Sequence, residues 1–146
     1  PGHYWKDYSL GRNSSLSLIP KDTTAGSATI LVAPELDGKL DSVSFRVPTN
    51  IVSASDMTIQ TSKVVNENEL HGFLQDLSME KSDLYEYQDE NLVSIDHVGN
   101  TRSTIIDSNR LKVLNDNMVK LIVWYDNEWG YSSRVIDIAK LTTNNN

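Results

Sequence analysis

Cysteine is absent from the 146-residue sequence, so these residues contain no disulfide framework, thiolate metal site or cysteine nucleophile. Positive charge is also scarce, because 13 Lys and Arg stand against 20 Asp and Glu and give a formal net charge of -7. Binding to nucleic acid or to an anionic membrane requires a basic surface, which this composition does not supply. Any anion site in the chain must therefore be local.

Long apolar runs are also missing, and no signal-peptide pattern opens the chain. We therefore predict a cytoplasmic protein that binds neither nucleic acid nor a membrane. The chain begins at Pro1, in PGHYWKDY, without an initiator methionine, which is typical of a processed or partial chain. Its apolar fraction of 38% and charged fraction of 23% are compatible with one folded domain that buries a core.

Three helices are predicted. The first runs from Thr23 or Thr24 to Val32, because Pro34 prevents its continuation. The second follows Asn66, an N-cap residue with Glu69 three positions later, and its apolar residues recur with helical spacing on one stripe at Leu70, Phe73, Leu74 and Leu77. The third begins near Tyr131 and is expected to turn three apolar residues inward, Val135, Ile138 and Ala139.

Several strands are predicted between these helices. DSVSFRVPT alternates, with Val43, Phe45 and Val47 on one face and Arg46 on the other, and ASDMTIQTSKV alternates in the same way. Three more strands are expected near residues 92–96, 103–107 and 119–125, while the acidic stretch SDLYEYQDE is interpreted as a connecting loop. Strands that helices do not regularly separate predict an α+β fold, with a mostly antiparallel or mixed sheet and helices on one face.

Spacing alone identifies no catalytic or metal site. His3, His71 and His97 share no metal-ligand spacing, and we interpret them as surface or capping residues. The sequence contains neither a G-x-S-x-G elbow nor a glycine-rich phosphate loop. The acidic residues around Glu86 are typical of a solvated loop. We therefore predict no metal ligand and no catalytic residue in this chain.

Two local features do point to ligand chemistry. Arg46 lies on the polar face of a strand that Pro48 ends, where a guanidinium can hold a phosphate with two hydrogen bonds. The second feature is LIVWYDNEWGYSSRVIDIAKL, in which a strongly apolar strand ends in polar and aromatic residues directly before a helix. Junctions of this kind often hold ligands in α/β folds.

Several segments together resemble glyceraldehyde-3-phosphate dehydrogenase. They occur in the family's order and include LGRNSSLSLIPKDTTAG, ELDGKLDSVSFRVPT, MTIQ, LVSIDHVGN and LNDNMVKLIVWYDNEWGYSSRVID. The resemblance extends from about Gly11 to Leu141, and its last segment is specific enough to serve as a family signature. It implies the C-terminal catalytic domain of that enzyme, with an α+β fold, followed by the long terminal helix.

The resemblance implies a role for each candidate residue. Arg46 matches the arginine shared by the family's two anion sites, for the substrate phosphate and for inorganic phosphate. Thr23 matches the threonine of the inorganic-phosphate site, and Arg12 an arginine that helps to hold the substrate phosphate. Asn127 matches the asparagine that holds the nicotinamide carboxamide of NAD, and Tyr131 the tyrosine packed near that ring.

Two departures from the family pattern concern the phosphate site. Thr24, which we include in that site, stands where the family usually has glycine, and Asn50-Ile51 replaces the usual Pro-Asn. These departures keep the related erythrose-4-phosphate dehydrogenases open as the parent enzyme.

In the family, a cysteine nucleophile, a histidine base and the NAD domain all precede the segment that this chain resembles. The complete enzyme converts glyceraldehyde 3-phosphate, NAD and phosphate to 1,3-bisphosphoglycerate and NADH. We therefore expect the isolated chain to be inactive and not to bind NAD tightly.

The resemblance also predicts the organisation of the chain. Residues 1–20 form an interface loop, residues 21–127 the sheet and helices of the catalytic domain, and residues 128–146 the terminal helix and tail. The family assembles as a homotetramer, and we expect the truncated chain to self-associate. Two alternatives remain open: a natural non-catalytic module of the same fold that assembles or binds anions, and a structural protein whose resemblance is accidental.

Overall fold

The computed structural model describes residues 8–9, 11–13 and 15–144, without the side chain of Asn144. The chain divides into two compact units, Pro1–Asn50 and Ile51–Asn146, which are described separately. The predicted interface loop, residues 1–20, lies partly outside the described residues, as do His3 and the last two residues of the tail.

The first unit is built on two short antiparallel strands, β1 (Ile19–Lys21) and β2 (Ser44–Arg46). Between them lie helix α1 (Ala25–Val32) and a 3-10 turn at Pro34–Leu36, so the predicted first helix and its end before Pro34 are confirmed. The predicted strand around Arg46 is shorter than expected. Its apolar side chains are not buried, since Phe45 is 57% exposed.

The second unit contains a four-stranded sheet. Its strands are β3 (Ser53–Gln60), β4 (Tyr85–Gln88), β5 (Thr104–Leu114) and β6 (Met118–Tyr125). They lie side by side in the order β3-β6-β5-β4. β6 pairs antiparallel with both β3 and β5, whereas β4 pairs parallel with β5. A register shift between Asp107 and Lys112 lets β5 continue through its polar middle. The mixed sheet confirms the predicted α+β fold class.

Helix α2 (Glu67–Glu80) covers one face of this sheet. Its N-cap is the predicted Asn66, whose Oδ1 accepts from the backbone N–H of Asn68 at 2.9 Å and of Glu69 at 3.2 Å. Leu70 and Leu74 of the predicted stripe pack against the core, which consists of Ile106, Leu111, Val119, Leu121 and Val123. Phe73 does not, because it is 61% exposed.

The predicted strand at residues 92–96 is wrong. Ser94–His97 forms a short 3-10 helix, because the Asp96 carboxylate accepts from the Val93 N–H at 2.8 Å and closes a local turn. The acidic stretch interpreted as a loop instead contains β4. Glu86 of β4 is half-buried and accepts from Asn100 Nδ2 at 2.8 Å.

The last helix, α3 (Trp129–Asn144), begins two residues before the predicted Tyr131. Its apolar residues do not face inward as predicted, since Val135 is 47% and Ile138 62% exposed. Among the described residues, no helix combines the length and the apolar character that would let it cross a membrane.

Candidate functional site at the junction of β6 and α3

The carboxylate of Asp126 organises the turn between β6 and α3. Asp126 is 1% exposed, and its Oδ1 accepts from the backbone N–H of Glu128 and of Trp129, both at 2.9 Å. Its Oδ2 accepts from the Gly99 N–H at 2.9 Å. The first pair of hydrogen bonds satisfies N–H groups at the start of α3, and the third ties the junction to the loop that precedes β5.

These hydrogen bonds set the ionisation of Asp126. Burial alone would raise the pKa of this carboxyl, because a low dielectric disfavours the charged form. Hydrogen bonds from the backbone N–H groups of Trp129, Gly99 and Glu128 outweigh burial and lower the pKa below its ordinary value of 3.8. The junction therefore contains a buried carboxylate that is charged at neutral pH.

Two positions near this junction require glycine for different reasons. Gly99 has φ +82, in the left-handed region that side chains with a Cβ rarely adopt. Gly130 lies in the first turn of α3, where a Cβ would come within 3.0 Å of the Arg102 carbonyl oxygen. The start of α3 therefore packs directly on the backbone at Arg102.

The side chain of Arg134, in the first two turns of α3, bonds to the segment that precedes β4. Its Nη1 donates to the Asp83 carbonyl at 2.8 Å, and its Nη2 pairs with Asp137 at 2.8 Å. Its Nε is buried and has no hydrogen-bond partner among the described residues. The guanidinium thus joins α3 to the segment before β4, while its Nε–H has no partner among the described residues.

A concavity of about 210 Å³ opens at this junction. Asn127 and Tyr131, the two residues predicted to contact a cofactor, both line it. The remaining lining residues are Ser103, Tyr125, Asp126, Gly130 and Arg134. The structure therefore brings both predicted cofactor residues to one cavity, which is smaller than a whole dinucleotide requires and suits one ring.

The carboxamide of Asn127 is open to a ligand. Asn127 is exposed, and the only hydrogen bond of its side chain among the described residues is a long one, 3.4 Å from Ser53 Oγ to Oδ1. Tyr131 is 71% exposed. An available amide beside an exposed aromatic ring suits a planar amide-bearing ligand, so these residues fit a nicotinamide.

The predicted phosphate residues all belong to the first unit. Thr23 Oγ1 accepts from the Ala25 N–H at 3.1 Å, and Thr24 occupies the N-cap position of α1 without a side-chain hydrogen bond. Arg46 is exposed in β2 and lies opposite Ile19, whereas Thr23 follows the end of β1, where Lys21 lies opposite Ser44. Strand register therefore does not itself bring Arg46 beside Thr23.

Arg12, the third predicted phosphate residue, is exposed and lines a separate hollow of about 340 Å³. In the part of the chain that the structure describes, no hydrogen bond or ion pair involves the side chain of Arg12 or Arg46. Both guanidinium groups are thus available to an anion.

Sequence reasoning missed two structural roles near the junction. His97, interpreted as a surface or capping residue, is only 2% exposed and stacks on Trp124 with 5.5 Å between ring centroids. Trp124 Nε1 donates to Asp107 at 3.2 Å. Asp126 was also missed, although an aspartate shortly before a helix is a recognisable capping signal.

Among the described residues, no group of three or more His, Cys, Asp or Glu side chains is arranged to hold a metal ion. The acidic residues that surround Glu86 therefore do not form a metal-ligand cluster there.

Comparison with known proteins identifies relatives of the chain. Residues 2–127 match the family model described as glyceraldehyde 3-phosphate dehydrogenase, C-terminal domain. The chain is 43% identical over 136 residues to "Glyceraldehyde-3-phosphate dehydrogenase 2, cytosolic" of Hordeum vulgare, covering 92% of this chain and 45% of that protein. It is 43% identical over 138 residues to the cytosolic enzyme of Sinapis alba, covering 94% of this chain and 41% of that protein.

A chloroplastic relative is similar to the same extent. The chain is 42% identical over 141 residues to "Glyceraldehyde-3-phosphate dehydrogenase GAPA1, chloroplastic" of Arabidopsis thaliana, covering 96% of this chain and 36% of that protein. The chain therefore spans less than half the length of each of these relatives.

Proposed function

Because the chain belongs to the glyceraldehyde-3-phosphate dehydrogenase family, as a C-terminal domain, we propose that it forms the substrate and cofactor-ring side of an NAD-dependent, phosphorylating aldehyde dehydrogenase. The complete enzyme would convert glyceraldehyde 3-phosphate, NAD and inorganic phosphate to 1,3-bisphosphoglycerate and NADH. The names of the relatives support this substrate, and their cytosolic members support a cytoplasmic location.

The observation that carries the proposal is the cavity at the β6–α3 junction. Asn127, whose side chain is an amide, and Tyr131, whose side chain is an aromatic ring, both line the cavity. We propose that Asn127 holds the carboxamide of a nicotinamide ring and that Tyr131 packs beside that ring. When bound, NAD supplies the hydride acceptor, and the role of these two residues is to orient it.

The phosphate residues complete the proposal. Arg46 and Arg12 would bind the phosphate groups of the substrates, and the hydroxyls of Thr23 and Thr24 would add hydrogen bonds to inorganic phosphate. The first turn of α1 contains no acidic residue that would repel an anion, but α1 is a single helix of eight residues and adds little to anion binding by itself. The guanidinium of Arg46 is therefore the main proposed anion ligand.

The isolated chain is expected to be inactive. It has no cysteine to attack an aldehyde, and no histidine lies among the residues that line the junction cavity. In the proposed parent enzyme, an N-terminal nucleotide-binding half and further copies of the chain in a homotetramer are the partners. We expect no NADH from the purified chain with aldehyde, phosphate and NAD, and measurable NADH formation would contradict this part of the proposal.

The ring site can be tested separately from catalysis. We would titrate the chain with nicotinamide mononucleotide and follow amide shifts by NMR, because this ligand contains the ring but does not need the missing half. Residues of the junction, from Tyr125 to Tyr131, should shift, and Asn127→Ala should abolish the shifts. Asn68→Ala, at an exposed amide of α2, is the matched control and should leave them unchanged. Shifts that survive Asn127→Ala would contradict the assigned role.

The anion site calls for a second titration, with inorganic phosphate. A millimolar dissociation constant corresponds to about 4 kcal/mol and is the strength expected of one guanidinium and one or two hydroxyls. Arg46→Ala should abolish binding, whereas Arg110→Ala, at an exposed arginine of β5, should not. If no amide near Thr23 or Arg46 shifts with phosphate, the proposed site is wrong.

Of the two alternatives from the sequence, the non-catalytic module can be separated from this proposal. An erythrose-4-phosphate dehydrogenase would share every residue role proposed here, and Thr24 and Asn50-Ile51 are departures that keep it open. A non-catalytic module would need no upstream half. A reading frame upstream of Pro1 that encodes a Gly-rich strand-turn-helix and a cysteine-containing segment would favour the enzyme, and a start codon directly upstream would favour the module.

A further inference from the structure

Val52 has a backbone conformation that valine rarely adopts. Among the described residues, three other than glycine have a positive φ: Val52 (φ +69), Asn115 and Asp116. Asn115 and Asp116 lie between β5 and β6, in a hairpin turn where asparagine and aspartate commonly adopt this conformation. For a branched side chain such as that of valine the left-handed region is strained, and Val52 is only 7% exposed. Strain of this kind persists where the surrounding structure imposes it, and it is concentrated at functional positions.

The strained residue leads directly to the junction of β6 and α3. Val52 precedes Ser53, the first residue of β3, and Ser53 lies opposite Tyr125, the last residue of β6. Asn127 follows two positions after Tyr125. Ser53 Oγ donates to Asn127 Oδ1 at 3.4 Å, a contact between residues 74 positions apart in the chain. The bend at Val52 therefore begins β3 at the point where the Ser53 hydroxyl reaches the side chain of Asn127.

This contact decides which end of the Asn127 amide remains available. An asparagine side chain has a carbonyl oxygen that accepts hydrogen bonds and an NH2 group that donates them. Oδ1 is engaged by Ser53, whereas Nδ2 has no hydrogen-bond partner among the residues that the structure describes. Because the two ends have nearly the same shape, an amide without such a neighbour can turn over and present either of them. The Ser53 hydroxyl therefore favours the orientation in which Asn127 donates.

We propose that Ser53 is a positioning residue for the ring site: its hydroxyl holds the Asn127 amide with Nδ2 free, so that the site binds the carbonyl oxygen of a ring carboxamide and not its amino group. Ser53 is not among the described residues that line the junction cavity, whereas Asn127 is. Ser53 therefore acts through Asn127. This inference rests on the proposed function, because it deepens the role of Asn127 in binding a nicotinamide ring.

The length of the hydrogen bond sets the expected size of the effect. At 3.4 Å, the bond between these two neutral groups is long, so it biases the amide without locking it. The net contribution of a neutral hydrogen bond corresponds to about a two- to tenfold change in an equilibrium constant. We therefore expect loss of the Ser53 hydroxyl to weaken ring binding by about two- to tenfold, whereas Asn127→Ala abolishes it.

The first measurement needs no ligand. NMR relaxation of the Asn127 side-chain NH2 group reports how strongly the amide is held on the picosecond to nanosecond timescale. Ser53→Ala should lower the order parameter of this group, and Ser53→Thr, which keeps the hydroxyl, should retain it. Ser55→Ala is the matched control, at a half-buried serine two residues further along β3 that lies opposite Val123. It should leave the order parameter unchanged.

The second measurement compares two ligands on the unmodified chain. In 3-acetylpyridine mononucleotide, a methyl group replaces the amino group of nicotinamide mononucleotide and the carbonyl is kept. Both ligands should shift the junction amides with similar dissociation constants, because Nδ2 of Asn127 donates to the carbonyl. In the opposite orientation Nδ2 would donate to Ser53 Oγ and Oδ1 would accept from the amino group, so only nicotinamide mononucleotide would bind. Ser53→Ala should weaken both ligands equally, and Ser53→Thr should restore them.

The outcomes distinguish this inference from the proposed function. If nicotinamide mononucleotide binds and the acetyl analogue does not, or if Ser53→Ala changes neither the order parameter nor the affinity, this inference is overturned while the ring site stands. If neither ligand shifts the junction amides, the proposed ring site fails. A lower Asn127 order parameter in Ser53→Ala would then still support the positioning role, and an unchanged one would overturn it. Should Ser53→Ala not fold, Ser53→Cys keeps the shape of serine with a weaker donor and should loosen the amide in the same way.

Discussion

Replacing Asp126 with alanine should destabilise the second unit more than the removal of any exposed carboxylate. The change removes the acceptor of three backbone N–H groups at a position that is 1% exposed. A buried donor left without an acceptor costs about 1–3 kcal/mol. Water can reach the N–H groups of Glu128 and Trp129, whose residues are exposed, so we expect a total loss of about 3–5 kcal/mol.

Asp126→Asn separates the two functions of this carboxylate. The amide oxygen can still accept from Glu128 and Trp129 at the start of α3. The amide nitrogen, however, would face the Gly99 N–H, and two donors cannot bond to each other. We therefore expect a smaller loss, about 1–3 kcal/mol, together with amide shifts at Gly99 that exceed those at Trp129.

The pH dependence of folding stability is an independent test of the hydrogen bonds to Asp126. The folded state lowers the pKa of Asp126 below its unfolded value near 3.8, so folding favours the charged form. This contribution to stability is fully present above the unfolded pKa and is lost as the pH falls from about 3.8 through the lower folded pKa. Asp126→Asn cannot titrate, so this part of the acid destabilisation should disappear.

Urea unfolding followed by circular dichroism, at neutral pH and at a series of acidic values, measures both effects. Asp96→Ala is the control, because Asp96 is exposed and accepts a single backbone N–H, from Val93. It should cost about 1 kcal/mol. If Asp126→Ala costs no more than Asp96→Ala, or if Asp126→Asn keeps the acid dependence of the unmodified chain, then the three hydrogen bonds do not stabilise the junction as argued.

Three further substitutions, two of them with a control variant, test packing and helix capping. Gly130→Ala should lower the free energy of unfolding by about 1–3 kcal/mol, because the new Cβ would meet a backbone carbonyl at 3.0 Å. Gly72→Ala in α2 is the control, since its Cβ would meet nothing within 4 Å, and it should raise the free energy of unfolding by up to about 1 kcal/mol. Urea unfolding of both variants should therefore show changes of opposite sign. Asn66→Ala should cost about 1 kcal/mol in the same assay, and an unchanged midpoint would contradict its capping role. Leu111→Ala, at a fully buried residue, should lower the free energy of unfolding by about 2–5 kcal/mol, measured by thermal unfolding. Leu114→Ala is the control and should have a far smaller effect, because Leu114 is 51% exposed.

Local signals in the sequence predicted the features that depend on neighbouring residues. The cap at Asn66, the end of α1 before Pro34 and the strand before the junction at Tyr125 all follow from residues a few positions apart. The mixed sheet also followed from the order of strands and helices. The family resemblance, and not residue spacing, pointed to Asn127 and Tyr131, and both line one cavity in the structure.

Only the tertiary structure decided which side chains are buried and where polar groups find partners. β4 was missed because its strand character comes from parallel pairing with β5, in which each residue lies opposite one 19 positions later in the chain. His97 is buried because Trp124 stacks on it, and Asp126 is a buried carboxylate because Gly99 approaches from another loop. In α3, helical spacing correctly predicts a stripe of apolar residues, but the spacing does not determine whether another element packs against that stripe. These residues are exposed in the structure. Periodicity and capping are properties of a short segment, whereas burial and hydrogen bonding to distant backbone depend on the packing of the whole unit.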